Sequence, residues 1–237
     1  MKHYIFEKNF PSLNYIKIRW PASKNILAKY IMSNYRKPDL YRLAITCLEE
    51  LNFRNLKKFK KELKKISEEC SKNVNFNTYH NEHHFKAVLV IACILGKIYS
   101  LKNYDKFLLV ILALAHDMNH QGRRILRNPY YQEKKTLKNL NQIIFRKISN
   151  YKKWKRVEKI IMNTYFQGRA EVNDDMLEKI ILDSDLLSSL IFGFENGLEL
   201  AKRLKFELKL EISSLVLFKK FLESLICKKL HLDYSKI

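Results

Sequence analysis

The sequence predicts an all-α protein. Glycine and proline are scarce, 5 and 4 of 237 residues, so the frequent turns of a sandwich or barrel have little to be built from. Apolar residues recur at the helical period along most of the chain, and no two segments read as a strand pair. Hydrophobic residues make up 47% of the chain, enough to bury one sizeable core at this length.

Taken in order, residues 1–38 read as irregular, with Pro11, Pro21 and Pro38 as breakers. From Asp39, a plausible N-cap, Leu40, Leu43, Ala44, Cys47, Leu48 and Leu51 follow a helical period. Leu56, Phe59, Leu63 and Ile66 form a second stripe, opposite Lys57, Lys58, Lys60, Lys61, Lys64 and Lys65. Ser71–Thr78 is polar and loop-like. A helix is expected from about Tyr79 to Ser100. Another, capped by Asp105, should run through Ala115 towards His120, and Gln121–Pro129 should be a loop. Further helices are expected at about 130–148, 151–165, 174–190, 194–205 and 210–230, with Gly168, Gly193 and Gly197 near their ends. Residues 1–70 read as a helical extension packed on a core of residues 71–237, the whole forming one compact domain.

The formal net charge is +21, carried mainly by lysines spread over the chain. It points to an anionic partner: a phosphate-bearing small molecule or nucleic acid. A solvated helix face is the commoner origin of a lysine run such as residues 57–65. Cys47, Cys70, Cys93 and Cys227 form no C-x-x-C pair, which fits a reducing, cytoplasmic setting. Met1–Phe10 carries charges throughout, unlike a signal peptide, and the longest apolar run, Phe107–Ala115, is too short to span a bilayer. No glycine-rich phosphate loop is present.

Five of the seven histidines fall in two clusters, Tyr79-His80-Asn81-Glu82-His83-His84 and His116-Asp117-Met118-Asn119-His120. On a helix, residues four apart share a face, so His80 should point with His84 and His116 with His120. Two further acids, Asp183 and Asp185, sit in an apolar stretch, where a buried charge needs a partner and a metal is a good one. Neutral imidazole and carboxylate suit Zn, Mn or Fe, or Mg with more waters. His83 points off the His80/His84 face, and His3 and His231 are expected in solvent.

The ordered set Tyr79-His80-Asn81-x-x-His84, His116-Asp117-x-x-His120-x-Gly122 and Asp185-Leu186 resembles the HD superfamily of metal-dependent phosphohydrolases. Within it, the pattern is most similar to class I cyclic nucleotide phosphodiesterases and their small bacterial relatives. The resemblance covers about residues 75–190. It implies an HD-type helical bundle and two divalent ions. His84, His116, Asp117 and Asp185 would ligate the tighter metal, with Asp117 bridging to a second. His120 would touch the phosphate and His80 would be the general acid. Glu133 and Asn81 would support the ligands from behind. Gln121 stands where the phosphodiesterases carry proline, Thr164-Tyr165 where they carry Thr-Asp, and Leu215 and Phe218 occupy the places of their purine-binding glutamine.

The expected function is hydrolysis of a phosphate ester, most readily a cyclic nucleotide or other nucleotide, by a metal-activated hydroxide with a histidine proton donor. The same chemistry would serve a 5′-nucleotidase, a guanosine polyphosphate hydrolase or a nuclease. A non-catalytic basic module for nucleic acid would instead leave the histidine clusters unexplained.

Overall fold

A computed structural model of the chain describes residues 12–32, 37–72, 77–123, 128–148, 150–165, 174–226 and 230–235. The described residues form α1 (Leu13–Ile18), α2 (Lys24–Met32), α3 (Leu40–Glu50), α4 (Lys60–Ser71), α5 (Glu82–Ile98) and α6 (Asn103–Ala115). They continue with α7 (Tyr131–Ile144), α8 (Tyr151–Asn163), α9 (Met176–Leu190), α10 (Phe194–Leu208) and α11 (Ser214–Ile226). Among the described residues there is no strand, so the protein is an all-α bundle.

The two central helices are the ones whose sequence is apolar on every side. In α5 each residue from His84 to Gly96 is buried, and in α6 each residue from Phe107 to Ala115. A helix without a polar face has to be surrounded, because each leucine- or phenylalanine-sized side chain taken out of water is worth roughly 1.5–3 kcal/mol. Accordingly α5 packs on α6, α9, α1 and α3, while α6 also meets α4, α8 and α9. The outer helices are amphipathic and rest one stripe on this pair, as α8 does with Trp154, Val157, Ile160 and Ile161. One connected hydrophobic cluster draws its members from Leu13 of α1 through to Leu232.

Local caps fix several boundaries. The Asp39 carboxylate accepts from the Arg42 amide, Asn150 from Lys152 and Asp175 from Leu177. Each such bond satisfies an amide that the helix cannot, for about 1 kcal/mol.

Two regions depart from the sequence expectation. Residues 12–32, expected to be irregular, hold α1 and α2, with Ser12 capping α1 and Pro21 confined to the turn between them. Leu13, Ile16 and Leu27 are fully buried; tertiary burial outweighs the breakers, and proline is harmless outside a helix interior. Asp105 does not cap α6, whose N-cap is Lys102. Asp105 lies in the first turn and accepts from Arg156 of α8. In α10, Gly197 lets α11 approach: a Cβ there would stand 2.5 Å from the Phe218 ring. Among the described residues no helix is long and apolar enough to cross a membrane.

Candidate metal centre

The helix ends decide which side chains meet. Asn81 caps α5, its amide oxygen accepting from His83 N, so His80 lies before the helix and His84 in its first turn. Helix α6 stops at Ala115, and residues 116–119 form a turn ending at Asn119 in the left-handed region (φ 63°), a conformation asparagine tolerates. The expected sharing of one helical face therefore fails for both pairs. His84 joins His116 in one group, and His80 joins His120 in another.

The first group is His84, His116, Asp117 and Asp185, whose donor atoms all lie within 4.8 Å of one another. His84 Nε2 and His116 Nε2 stand 3.1 Å apart. Asp117 Oδ2 is 3.3 Å from the first and 3.2 Å from the second; Asp185 Oδ1 is at 3.5 and 3.7 Å. The outer ring nitrogens set the tautomers. His116 Nδ1 donates to Ala113 O at 2.9 Å. Ser188 Oγ donates to Asp185 O, leaving its oxygen to accept from His84 Nδ1 at 3.4 Å. Both Nε2 lone pairs then face each other and two carboxylates. That arrangement calls for a cation, and a divalent ion fits it, with the outer hydrogen bonds already orienting both rings.

The electrostatics agree. Burial opposes a charge on His116, but Asp117 and Asp185 outweigh it and raise its pKa to about 9, so the surroundings favour positive charge at this point. Burial and the neighbouring His116 lower His84. Burial likewise opposes the Asp117 charge, yet His116 and His80 hold the carboxyl well below the usual range.

The second group is His80, His120 and Glu207. Glu207 Oε1 accepts from His80 Nδ1, and its Oε2 accepts from the amides of Tyr79 at 2.7 Å and His80 at 3.0 Å. The ring is thereby turned so that His80 Nε2 lies 3.7 Å from Asp117 Oδ2. His80 is pulled down by burial and raised more by Asp117 and Glu207, so it keeps its proton above the ordinary imidazole range. The His120 ring stacks on that of His80 at 3.8 Å. Burial and the His80 charge lower His120 to about 3, and its Nδ1 accepts from Gly122 N, so a neutral ring keeps its hydrogen on Nε2. Burial works against the Glu207 charge, but His80 and the two amides hold its pKa at about 2.

Sequence reasoning missed Glu207 and Asn77. Glu207 is buried in α10 one turn beyond Leu204 and about two beyond Leu200, so an acid on the apolar stripe of an amphipathic helix was the available signal. Asn77 lies in a stretch that reads only as a polar loop. Its side-chain amide donates to both His80 O and His120 O at 3.0 Å, tying the two histidine loops together. Gly122 closes this knot with φ +61°, and a Cβ there would fall 2.2 Å from Asn77 Oδ1.

Of the remaining expected residues, Asn81 spends its side chain on backbone, donating to Thr78 O besides capping α5. Glu133 is buried in the first turn of α7, and burial, with the Asp117 charge, raises its pKa to about 7. Gln132 and Thr136 of the same helix donate to Met118 O, so α7 props the His116–Asn119 turn. Asp183 is not in either group: its carboxylate accepts from the amides of His231 and Leu232. His231 is half-buried rather than in solvent, since that contact draws the C-terminal segment onto α9. His83 belongs to neither group, while His3, Gly168 and Cys227 lie outside the described residues. The chain matches no family model, no curated protein and no solved structure.

Proposed function

We propose that the protein is a metal-dependent phosphohydrolase of the HD type, acting on a phosphate ester of a nucleotide. One observation carries the reading: two imidazoles and two carboxylates converge on one point, with a further histidine, His80, held beside it by a buried glutamate. His84, His116, Asp117 and Asp185 would hold the tighter of two divalent ions, and Asp117 would help to hold the second. Such ions supply charge for the phosphoryl oxygens and a water activated at neutral pH.

The chain's own residues would do the rest. His80 stores a proton at Nε2, on the face turned to Asp117, and delivers it to the leaving oxygen. Glu207 keeps that ring in one orientation and tautomer by accepting from Nδ1. His120, neutral and with its hydrogen on Nε2, donates to a phosphoryl oxygen without adding a second positive charge beside His80. A nucleotide alkoxide is a poor leaving group, which is why a proton donor next to the metal donors is informative about the reaction class.

The test is elemental analysis of the purified protein, then hydrolysis of cyclic mononucleotides, nucleoside monophosphates and short oligonucleotides with added Mn²⁺, Zn²⁺ or Mg²⁺. The expected result is bound metal and turnover of one class, with His80→Ala slowed roughly 100-fold or more while retaining metal. Absence of both metal retention and hydrolysis under every supplied ion would end this reading.

A further inference from the structure

We infer that the outer face of residues 57–65, formed by the 3-10 turn Leu56–Phe59 and the start of α4, is a docking surface for a nucleic-acid backbone. Lys57, Lys58, Lys60, Lys61, Lys64 and Lys65 are all exposed there, while Leu63 and Ile66 face the core. On α4, Lys60, Lys61, Lys64 and Lys65 fall within an arc of about 140° at 100° per residue, and residues 57 to 65 span about 12 Å. Several lysines thus point outward from one ridge.

A high lysine content alone does not make a binding face, and the rest of the molecule gives the contrast. Elsewhere some exposed lysines stand beside acids, Lys155 with Glu158 at 2.6 Å, Lys219 with Glu223 at 3.7 Å and Lys202 with Glu199 at 3.9 Å, while others such as Lys134, Lys138 and Lys152 have no ion-pair partner among the described residues; the ridge differs in gathering six exposed lysines within nine residues. On the ridge, only Lys64 meets an acid, Glu68 at 3.9 Å, where the strip ends. Lys57, Lys58, Lys60, Lys61 and Lys65 have no ion-pair partner among the described residues. Uncompensated like charges this close repel one another, and a polyanion relieves the repulsion by releasing its counterions.

The ridge fits a phosphate backbone better than a lipid surface. Peripheral membrane faces pair cations with protruding apolar side chains. Along residues 56–71 none of the large hydrophobic side chains is exposed; Leu56 and Phe59, with Phe53 just before them, are half-buried. The same lack of exposed aromatic rings predicts contact with phosphates rather than stacked bases, hence little sequence preference.

The test measures binding of a labelled single-stranded oligonucleotide and its duplex by fluorescence anisotropy, in EDTA so that no hydrolysis intervenes. Binding does not depend on the phosphohydrolase reading, so either can fail alone. The full-length chain should bind with affinity falling steeply with salt. The triple variant K57E/K61E/K65E should lose at least tenfold. The control K155E/K202E/K219E, with the same change of charge at acid-paired lysines, should lose less than threefold. The neutral variant K57Q/K61Q/K65Q should lower the slope of log affinity against log salt by about 2–3, at roughly 0.7–0.9 for each phosphate no longer neutralised. Equal losses in the ridge and control variants would show diffuse attraction and overturn the inference. So would absence of oligonucleotide binding, or binding to anionic vesicles alone.

Discussion

Asp117 is the residue on which both histidine groups depend. It is 3.2 Å from His116 and 3.7 Å from His80, so it belongs to the candidate metal donors and also raises the pKa of the proposed proton donor. Asp185→Asn should therefore lose bound metal while leaving His80 in place, whereas Asp117→Ala should lose metal and proton donation together; elemental analysis beside turnover separates the two. Glu207 acts through His80. Glu207→Gln should keep its metal and cut turnover roughly 10–100-fold, in the range of lost proton-transfer assistance. Removing one of the three anions that raise His80 lowers its pKa, so the alkaline limb of the pH–rate profile should move to lower pH. An unchanged limb would deny Glu207 this positioning role. Gly122 has little room for a side chain. An alanine there needs a left-handed backbone and displaces the Asn77 amide, so Gly122→Ala should cost about 1–3 kcal/mol, read as a lower Tm.

Between helices, the clearest polar lock is Arg156 of α8. Its guanidinium donates to Asp175 at the start of α9, at 2.6 and 2.7 Å, and to Asp105 in the first turn of α6 at 2.6 Å. Burial of Asp175 opposes its charge, but Arg156 outweighs it and keeps the carboxyl below its ordinary value. Arg156→Met should destabilise the protein by about 1–2 kcal/mol at neutral pH, a charge-assisted bond discounted for partial exposure. Because the folded-state pKa is depressed, this stabilisation is complete above the unfolded value near 4 and fades as pH falls through the folded one. The gap in Tm between wild type and variant should then close in acid; a gap constant from pH 7 to pH 3 would exclude Asp175 as its source. Helix ends matter at this scale too. The period of the apolar residues predicted α3 and α7–α10 to within a few residues, because those helices rest one stripe on the core. It overran α6, since nothing in the spacing of Ala115, His116 and Asp117 announces the turn that Asn119 completes.

For the whole molecule, metal and fold should be coupled, because His84 on α5, His116 and Asp117 after α6, and Asp185 on α9 meet only when three helices pack together. A divalent ion at 100 times its dissociation constant should add about 2.7 kcal/mol to stability. Wild type should gain Tm with Zn²⁺ or Mn²⁺ and Asp185→Asn should not. Equal gains would place the ion elsewhere. The sequence by itself determined the all-helical class and the two histidine clusters, around His80 and around His116, where candidate metal ligands lie; the full candidate set came only with the family resemblance. The class and the clusters rest on local chemistry: few turn residues, apolar side chains at the helical period, and ionisable groups beside stretches that exclude water. Only the tertiary structure decided that His80 and His120 leave their helices and stack together, that Asp185 rather than Asp183 faces the metal donors, and that Glu207 and Asn77 bind the histidine loops. Those outcomes depend on where helices stop and on which segments, more than 100 residues apart for Glu207 and His80, the packing brings side by side; a periodicity read along the chain contains neither.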